Sequence, residues 1–418
     1  MARGQATRSK SERAADAGGV TGPTGNWPAA GIPAPTPTAG RWRSPLPVAL
    51  LWTHMANDSL SSYLPGVLPA IAIDRHLSLA LAGSLVTALL LGQVLQPLAG
   101  LWADRIGGRA LVLFGPLLGA AATFGIAYGR GYPVLITALL LTGVGSTLFH
   151  PQALAAARRA AARSEGRGMS SFLVAGEAGR ALAPLAAGIL VARWGVHLLW
   201  ALAIPVAVTW PWIWRGVPIS PRGQARGARA PIPWGRRAGH TVALVSYAAL
   251  RSASIYGVIT FLPLLWTAQG GSLITGASMV TTLIGVGIAG NMAGGVASDR
   301  WGRLPVLGLS SLASVVLVAA LTGVSGIWLF PILALAGVSL FSSLPVTMLA
   351  GQDMFPENPA FGSGMALGLG NGLGALLVLA LGVFSAHAGI HAAFLAMAGG
   401  LLVSMAAVPT LARRTRPA

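Results

Sequence analysis

Gly100-Leu101-Trp102-Ala103-Asp104-Arg105-Ile106-Gly107 and Gly295-Val296-Ala297-Ser298-Asp299-Arg300-Trp301-Gly302 both read G-x-x-x-D-R-x-G, 195 residues apart. Each copy follows the second apolar run of a set of six. One pattern returning at equivalent places marks an internal repeat, and two parallel six-run repeats are the organisation of a membrane carrier with its site between the halves. The composition agrees. The chain has 418 residues, 54% hydrophobic and only 9% charged, with mean hydropathy +0.69. A soluble domain averages about 25% charged residues, so most of this surface must face lipid.

Working outward from the two motifs, apolar stretches long enough to cross a hydrocarbon core of about 30 Å recur twelve times. They lie at about 46–73, 79–101, 109–129, 132–151, 168–192, 196–214, 239–267, 276–297, 304–323, 327–350, 361–385 and 390–411. None alternates with the two-residue period of a barrel strand, so each is expected to be a helix. The fold class is therefore an all-α integral membrane protein of two pseudo-symmetric six-helix halves. The expected domains are a disordered basic tail at 1–44, a half at 45–214, a basic Pro/Gly-rich linker at 215–238, a half at 239–411 and a short tail at 412–418. Residues 1–44 hold no continuous apolar stretch, and no cleavable leader is expected there.

The net charge of +18 comes from arginines placed between apolar runs, and they read as topology signals, so no nucleic-acid partner is expected. With the N-terminus cytoplasmic, only Arg75, Arg130 and Arg193 fall on the outer side, and Arg180 and Arg251 lie within spans. Cysteine is absent, which removes disulfides, thiol catalysis and Cys-based metal sites. The chain contains no phosphate-binding G-x-x-x-x-G-K-[ST], no H-E-x-x-H and no supported Ser/His/Asp set. An enzyme, a cofactor, a metal site and ATP as energy source are all unexpected.

Ionisable groups inside spans cost about 2.5–3.5 kcal/mol on insertion scales, so each should face a cavity or a partner. His54 and Asp58 are four residues apart, on one face of span 1, and read either as a proton-handling pair or as a packing pair. Glu177 and Arg180 are three apart in span 5, which allows a self-contained ion pair or a carboxylate that releases its arginine on protonation. Arg251 in span 7 has no acid within four positions and needs a cavity, a substrate or another helix. His150 closes span 4 before Pro151, where a structural role competes with a binding one. Asn57 beside Asp58, and Tyr256 five positions after Arg251, are further candidates for lining a substrate site.

The doubled loop resembles the signature of the major facilitator superfamily. Four stretches resemble its fosmidomycin-resistance branch of bacterial exporters. They are His54-Met55-Ala56-Asn57-Asp58 with Leu64-Pro65 and Leu68-Pro69; Gln96-Pro97; Gly143-Val144-Gly145-Ser146-Thr147-Leu148-Phe149-His150-Pro151; and Gln352-Asp353 with Pro356, Ser363-Gly364 and the glycines at 368, 370, 372 and 374. The resemblance runs over about 46–411. It implies proton-coupled efflux of a small molecule by a monomeric carrier in the bacterial inner membrane, both termini cytoplasmic, with the lipid bilayer, protons and substrate as partners. An uptake symporter or facilitator for an organic anion, or a non-transporting sensor, are the alternatives. It also implies that Asp104 and Asp299, with Arg105, Arg300, Gly100 and Gly295, form a conformational gate by contacting a helix N-terminus across the halves. The chain departs from the branch at Gly176-Glu177-Ala178-Gly179-Arg180-Ala181-Leu182-Ala183-Pro184, where two charges replace neutral residues. The Gly179, Pro184 and Gly188 spacing resembles a degenerate span-5 motif of drug/proton antiporters, with Ala183 in place of a glycine.

Overall fold

The computed structural model describes residues 47–95, 108–160, 165–217, 234–355 and 359–412. The expected tail at 1–44, the first motif with Gly100, Asp104 and Arg105, and most of the linker lie outside the described residues. Helices account for the architecture, and no strand occurs among the described residues. Span 1 consists of two helices, Val48–Leu60 and Leu64–Asp74, and span 2 is Leu79–Gln93. Spans 3, 4 and 5 are Gly108–Tyr128, Tyr132–Ala160 and Glu165–Trp194. Span 6 opens as a 3-10 turn at Val196–Ala203 and continues as Ile204–Gly216. In the second half, spans 7, 8 and 9 are Trp234–Ala268, Leu273–Trp301 and Arg303–Ala320. Span 10 is Leu329–Met354; span 11 runs Pro359–Gly364, a π-helical turn at Met365–Leu369, then Gly370–Ala388; span 12 begins as Ile390–Ser404.

Twelve spans are thus present, as the hydropathy predicts. Ten helices among the described residues are long and apolar enough to cross a membrane. Span 1 falls short only because a turn at Ser61–Tyr63 divides it, and the described part of span 2 is a shorter apolar helix. Several helices outrun their apolar stretch. Span 4 continues through Ala153–Ala160, because alanine and arginine extend a helix well whether or not lipid surrounds it.

The repeat is visible in the packing and in the backbone. Span pairs 1·5, 2·4, 3·4 and 3·6 touch in the first half, and 7·11, 8·10, 9·10 and 9·12 touch in the second. The helix after span 5 starts at Gly195 (φ 87°, ψ 169°), and the helix after span 11 starts at Gly389 (φ 86°, ψ 158°). Only glycine adopts that region without strain, which costs another residue about 1–3 kcal/mol. His76 and Gly270, between spans 1 and 2 and between spans 7 and 8, form a second equivalent pair with positive φ. Gly389→Ala is expected to lower the melting temperature of the purified protein. Nothing lies within 4 Å of the added methyl, so the loss is backbone strain alone. Gly308→Ala, equally unobstructed and within span 9, should leave the melting temperature unchanged or slightly higher.

The halves meet asymmetrically. At one end of the bundle a single buried core joins them, drawing Leu64, Val67 and Leu85 from the first half and Val258, Phe261 and Val378 from the second. At the other end the cores are separate. One contains Leu50, Phe149, Phe172 and Ile213 of the first half, and the other Leu244, Tyr247, Leu307 and Phe355 of the second. Gly188 on span 5 packs against Ala277 on span 8, and Thr87 on span 2 donates to the Ala375 carbonyl on span 11 at 2.9 Å; both contacts lie on the joined side. The halves are therefore sealed together at the end that carries Gly195 and Gly389. Among the described residues, the buried cores of the two halves are separate toward the end where Gly302 closes span 8.

Candidate functional site

Span 1 breaks one turn after Asp58. Pro65 begins the second helix and Pro69 lies inside it, and neither can donate to a preceding carbonyl. Ser61 and Ser62 instead close the first helix through the Asn57 and Ser59 carbonyls at 3.1 and 3.2 Å. Discontinuous helices in carriers concentrate where ligands bind. Here the break leaves Asp58 buried at 5% exposure, between the shared core and the first half's separate core.

Two histidines face that carboxylate. Asp58 Oδ1 lies 3.0 Å from His150 Nε2, and Oδ2 lies 3.5 Å from His54 Nε2. The Asn57 side-chain amide donates to Oδ1 at 3.0 Å. The other nitrogen of each ring is committed. His54 Nδ1 is 2.7 Å from the Phe172 carbonyl on span 5, and His150 Nδ1 is 2.8 Å from the Ser146 carbonyl one turn back on span 4. A carbonyl only accepts, so both Nδ1 atoms carry hydrogen and donate. A neutral imidazole protonated at Nδ1 has a lone pair at Nε2. Both lone pairs would then point at an ionised carboxylate that also only accepts. The arrangement is held together only if positive charge, such as a proton, occupies the space between them.

The surroundings fix the rings. His54 stacks on Phe172 with centroids 4.0 Å apart, and Phe149 lies 5.6 Å away. Gly176 on span 5 clears the space for the His54 ring, since a β-carbon there would collide with the imidazole. Gly176→Ala is expected to cost about 1–3 kcal/mol by overpacking. Adding His54→Ala should return part of that loss, which a double-mutant melting cycle measures.

Arg180 Nη1 and Glu177 Oε1 pair at 3.1 Å within span 5, as their spacing predicts. The second carboxylate oxygen of Glu177 is buried with no hydrogen-bond partner among the described residues. Arg180 also lies within electrostatic reach of Asp58 and of Tyr256 on span 7. Arg251, 3% exposed, makes no ion pair among the described residues, and its Nε is buried without a hydrogen-bond partner. Tyr256 lies within electrostatic reach of Arg251 as well, so the half-buried Tyr256 stands between arginines of opposite halves.

The second motif ends span 8 at Gly302, whose φ of 83° turns the chain directly into span 9. Asp299 and Arg300 are exposed there, and Asp299 makes no hydrogen bond or ion pair among the described residues. The next residue, Arg303, pairs with Asp353 at the end of span 10 at 2.6 Å, within the second half. Gly295 lies one turn before Asp299 and is open to a β-carbon, with Pro345 of span 10 at 4.0 Å.

Comparison with known proteins adds the following. Residues 50–378 match the family model described as Major Facilitator Superfamily. An uncharacterized MFS-type transporter of Bacillus subtilis, YfnC, is 25% identical, the match covering 82% of this chain and 87% of that protein. The fosmidomycin resistance protein of Escherichia coli is 28% identical over 40% of this chain and 41% of its own length. A bacterial homologue of the human lysosomal transporter Spinster, solved inward-facing and unoccupied, superposes with a TM-score of 0.75 at 15% identity. That match covers 89% of this chain and 98% of the other.

Proposed function

The chain belongs to the Major Facilitator Superfamily of membrane transporters, and we propose that it is a proton-coupled exporter working by alternating access. One observation carries this reading: a buried carboxylate flanked by two histidines whose Nδ1 atoms are already committed, so that the cluster is satisfied only when it holds a cation. A proton bound between Asp58 and a histidine Nε2 completes the hydrogen bond, and its release leaves lone pairs opposed. The charged groups facing Asp58 are His54 on its own helix, His150 from span 4 and Arg180 from span 5, the last restrained by Glu177. Loss of the proton leaves Asp58 free to draw on Arg180, which passes the change in charge to the boundary between the halves.

With the N-terminus cytoplasmic, the separated cores lie on the cytoplasmic side, and the state described here is inward-facing. Arg251, Arg180 and Tyr256 then bind substrate at that boundary. A permanently charged, unpaired arginine held in the membrane suits an anionic group, which it can clamp with two hydrogen bonds. The resistance proteins among the relatives support outward transport of an antibiotic-like molecule. Uptake of an organic anion on the same fold is the second reading, and Arg251 is the observation that favours it. A fosmidomycin-sensitive bacterium expressing the chain tests direction. Export predicts lower cell accumulation of fosmidomycin, or of another compound in an antibiotic panel, and higher accumulation once the proton gradient is collapsed. Accumulation raised by expression and lowered by collapse would instead establish uptake.

A further inference from the structure

We propose that His54, Asp58 and His150 also form a binding site for a divalent late transition-metal ion of the Zn2+ class. Sequence spacing suggested no such site, because its ligands come from spans 1 and 4 and are 92 positions apart. Three donor groups converge, with their ligating atoms all within 4.8 Å of one another. Around a tetrahedral ion with bonds of about 2.0–2.1 Å, neighbouring ligand atoms stand about 3.3 Å apart. The two nitrogen–oxygen separations here are 3.0 and 3.5 Å, on either side of that value. Each histidine nitrogen faces its own carboxylate oxygen, Oδ1 for His150 and Oδ2 for His54, so Asp58 can hold an ion through one oxygen or both once the three side chains close the separations of up to 4.8 Å between their ligating atoms.

Ring orientation is the second, independent observation. A metal-bound histidine usually donates its free N–H to a carbonyl or carboxylate, which fixes the tautomer and aims the other nitrogen at the ion. Both histidines do this, through Phe172 and Ser146, so both Nε2 lone pairs are set before anything binds. Two imidazoles and one carboxylate are a donor set that suits zinc and its neighbours and ill suits Mg2+ or Ca2+, which prefer all-oxygen shells. Phe149 and Phe172 line one side, and such a dry wall strengthens the attraction between ion and ligands. The His150 side chain is 32% exposed, which leaves a route to the ion and a fourth position for water or an exchanging ligand. Arg180, the nearest cation, is paired to Glu177, which limits its repulsion of a dication. Ion and proton would occupy the same lone pairs and exclude each other. The inference rests on ligand geometry, so it and the proton-coupling reading can fail separately.

The test uses the untagged full-length protein in nanodiscs, titrated with Zn2+ and, for spectroscopy, Co2+. The expected result is one tight Zn2+ per chain and the visible absorption of tetrahedral Co2+. His150→Ala and Asp58→Asn should each weaken Zn2+ binding at least about 100-fold, as outer-shell changes alone cost 10–100-fold. His150→Cys should restore binding, since a thiolate replaces the imidazole. To guard against misfolding, Zn2+ should raise the melting temperature of wild type and His150→Cys but not of a folded His150→Ala. Zn2+ binding that is equal in wild type, His150→Ala and Asp58→Asn would overturn the site. So would octahedral-type Co2+ absorption, or failure of His150→Cys to bind while its melting transition remains intact.

Discussion

Asp58→Asn is expected to abolish transport driven by a pH gradient while the protein still folds and inserts. The amide cannot take up or release a proton, yet it has the size of the carboxylate and can accept through its oxygen from a protonated histidine. His150, at 3.0 Å from the native carboxylate, is the group most affected. In vesicles the expected flux with a gradient falls to the level seen without one, a loss of at least tenfold. Exchange of substrate across the membrane at equal pH should survive, because alternation of a loaded carrier does not require the proton step. Gradient-driven flux at wild-type rate would remove Asp58 from coupling and move the burden to Glu177, whose second oxygen is buried with no partner among the described residues.

Arg251→Met is expected to raise stability and to remove substrate binding. The native guanidinium is buried at 3% exposure with no ion pair among the described residues and an orphaned Nε. A buried polar group left unpaired costs about 1–3 kcal/mol or more when charged, so an apolar side chain of similar length should relieve that cost. Purified Arg251→Met is therefore expected to melt several degrees above wild type while losing at least tenfold in affinity for anionic compounds. Function held against stability is the signature of a ligand-facing charge. A variant that melts lower and still binds anions would show that Arg251 serves packing.

Some of this was legible before the structure, and the reasons differ from element to element. The twelve spans are written in hydropathy, because lipid imposes the same length on every crossing. Their ends are not: span 4 runs to Ala160, past the apolar stretch, because helix propensity and lipid exposure are separate constraints. The break in span 1 had a local signal in Pro65 and Pro69, yet hydropathy alone reads 46–73 as one crossing. The His54–Asp58 and Glu177–Arg180 pairs follow from helical spacing. The third member of the cluster does not, since no single-sequence rule joins His150 to a residue 92 positions earlier. Gly176 was visible only as one glycine among 56, and its role emerges once the His54 ring is seen against it. The Arg303–Asp353 pair was hidden for the same reason, its partners lying on spans 8–9 and 10.

The repeat ties sequence and structure together most closely. The motif recurs at Gly100 and Gly295, and the backbone recurs at Gly195 and Gly389 with the same glycine-only conformation. Duplicated halves with a joined end and a parted end give a body that can rock about the boundary between them. Arg180 lies within electrostatic reach both of Asp58 in the first half and of Tyr256 in the second.

Coupling itself is tested by reconstituting the wild-type protein in proteoliposomes loaded with a pH-sensitive dye and adding substrate on one side at equal starting pH. Substrate moving down its own gradient is expected to drive protons the opposite way, with the dye response lost in Asp58→Asn. Substrate movement at full rate with no change in internal pH would contradict it.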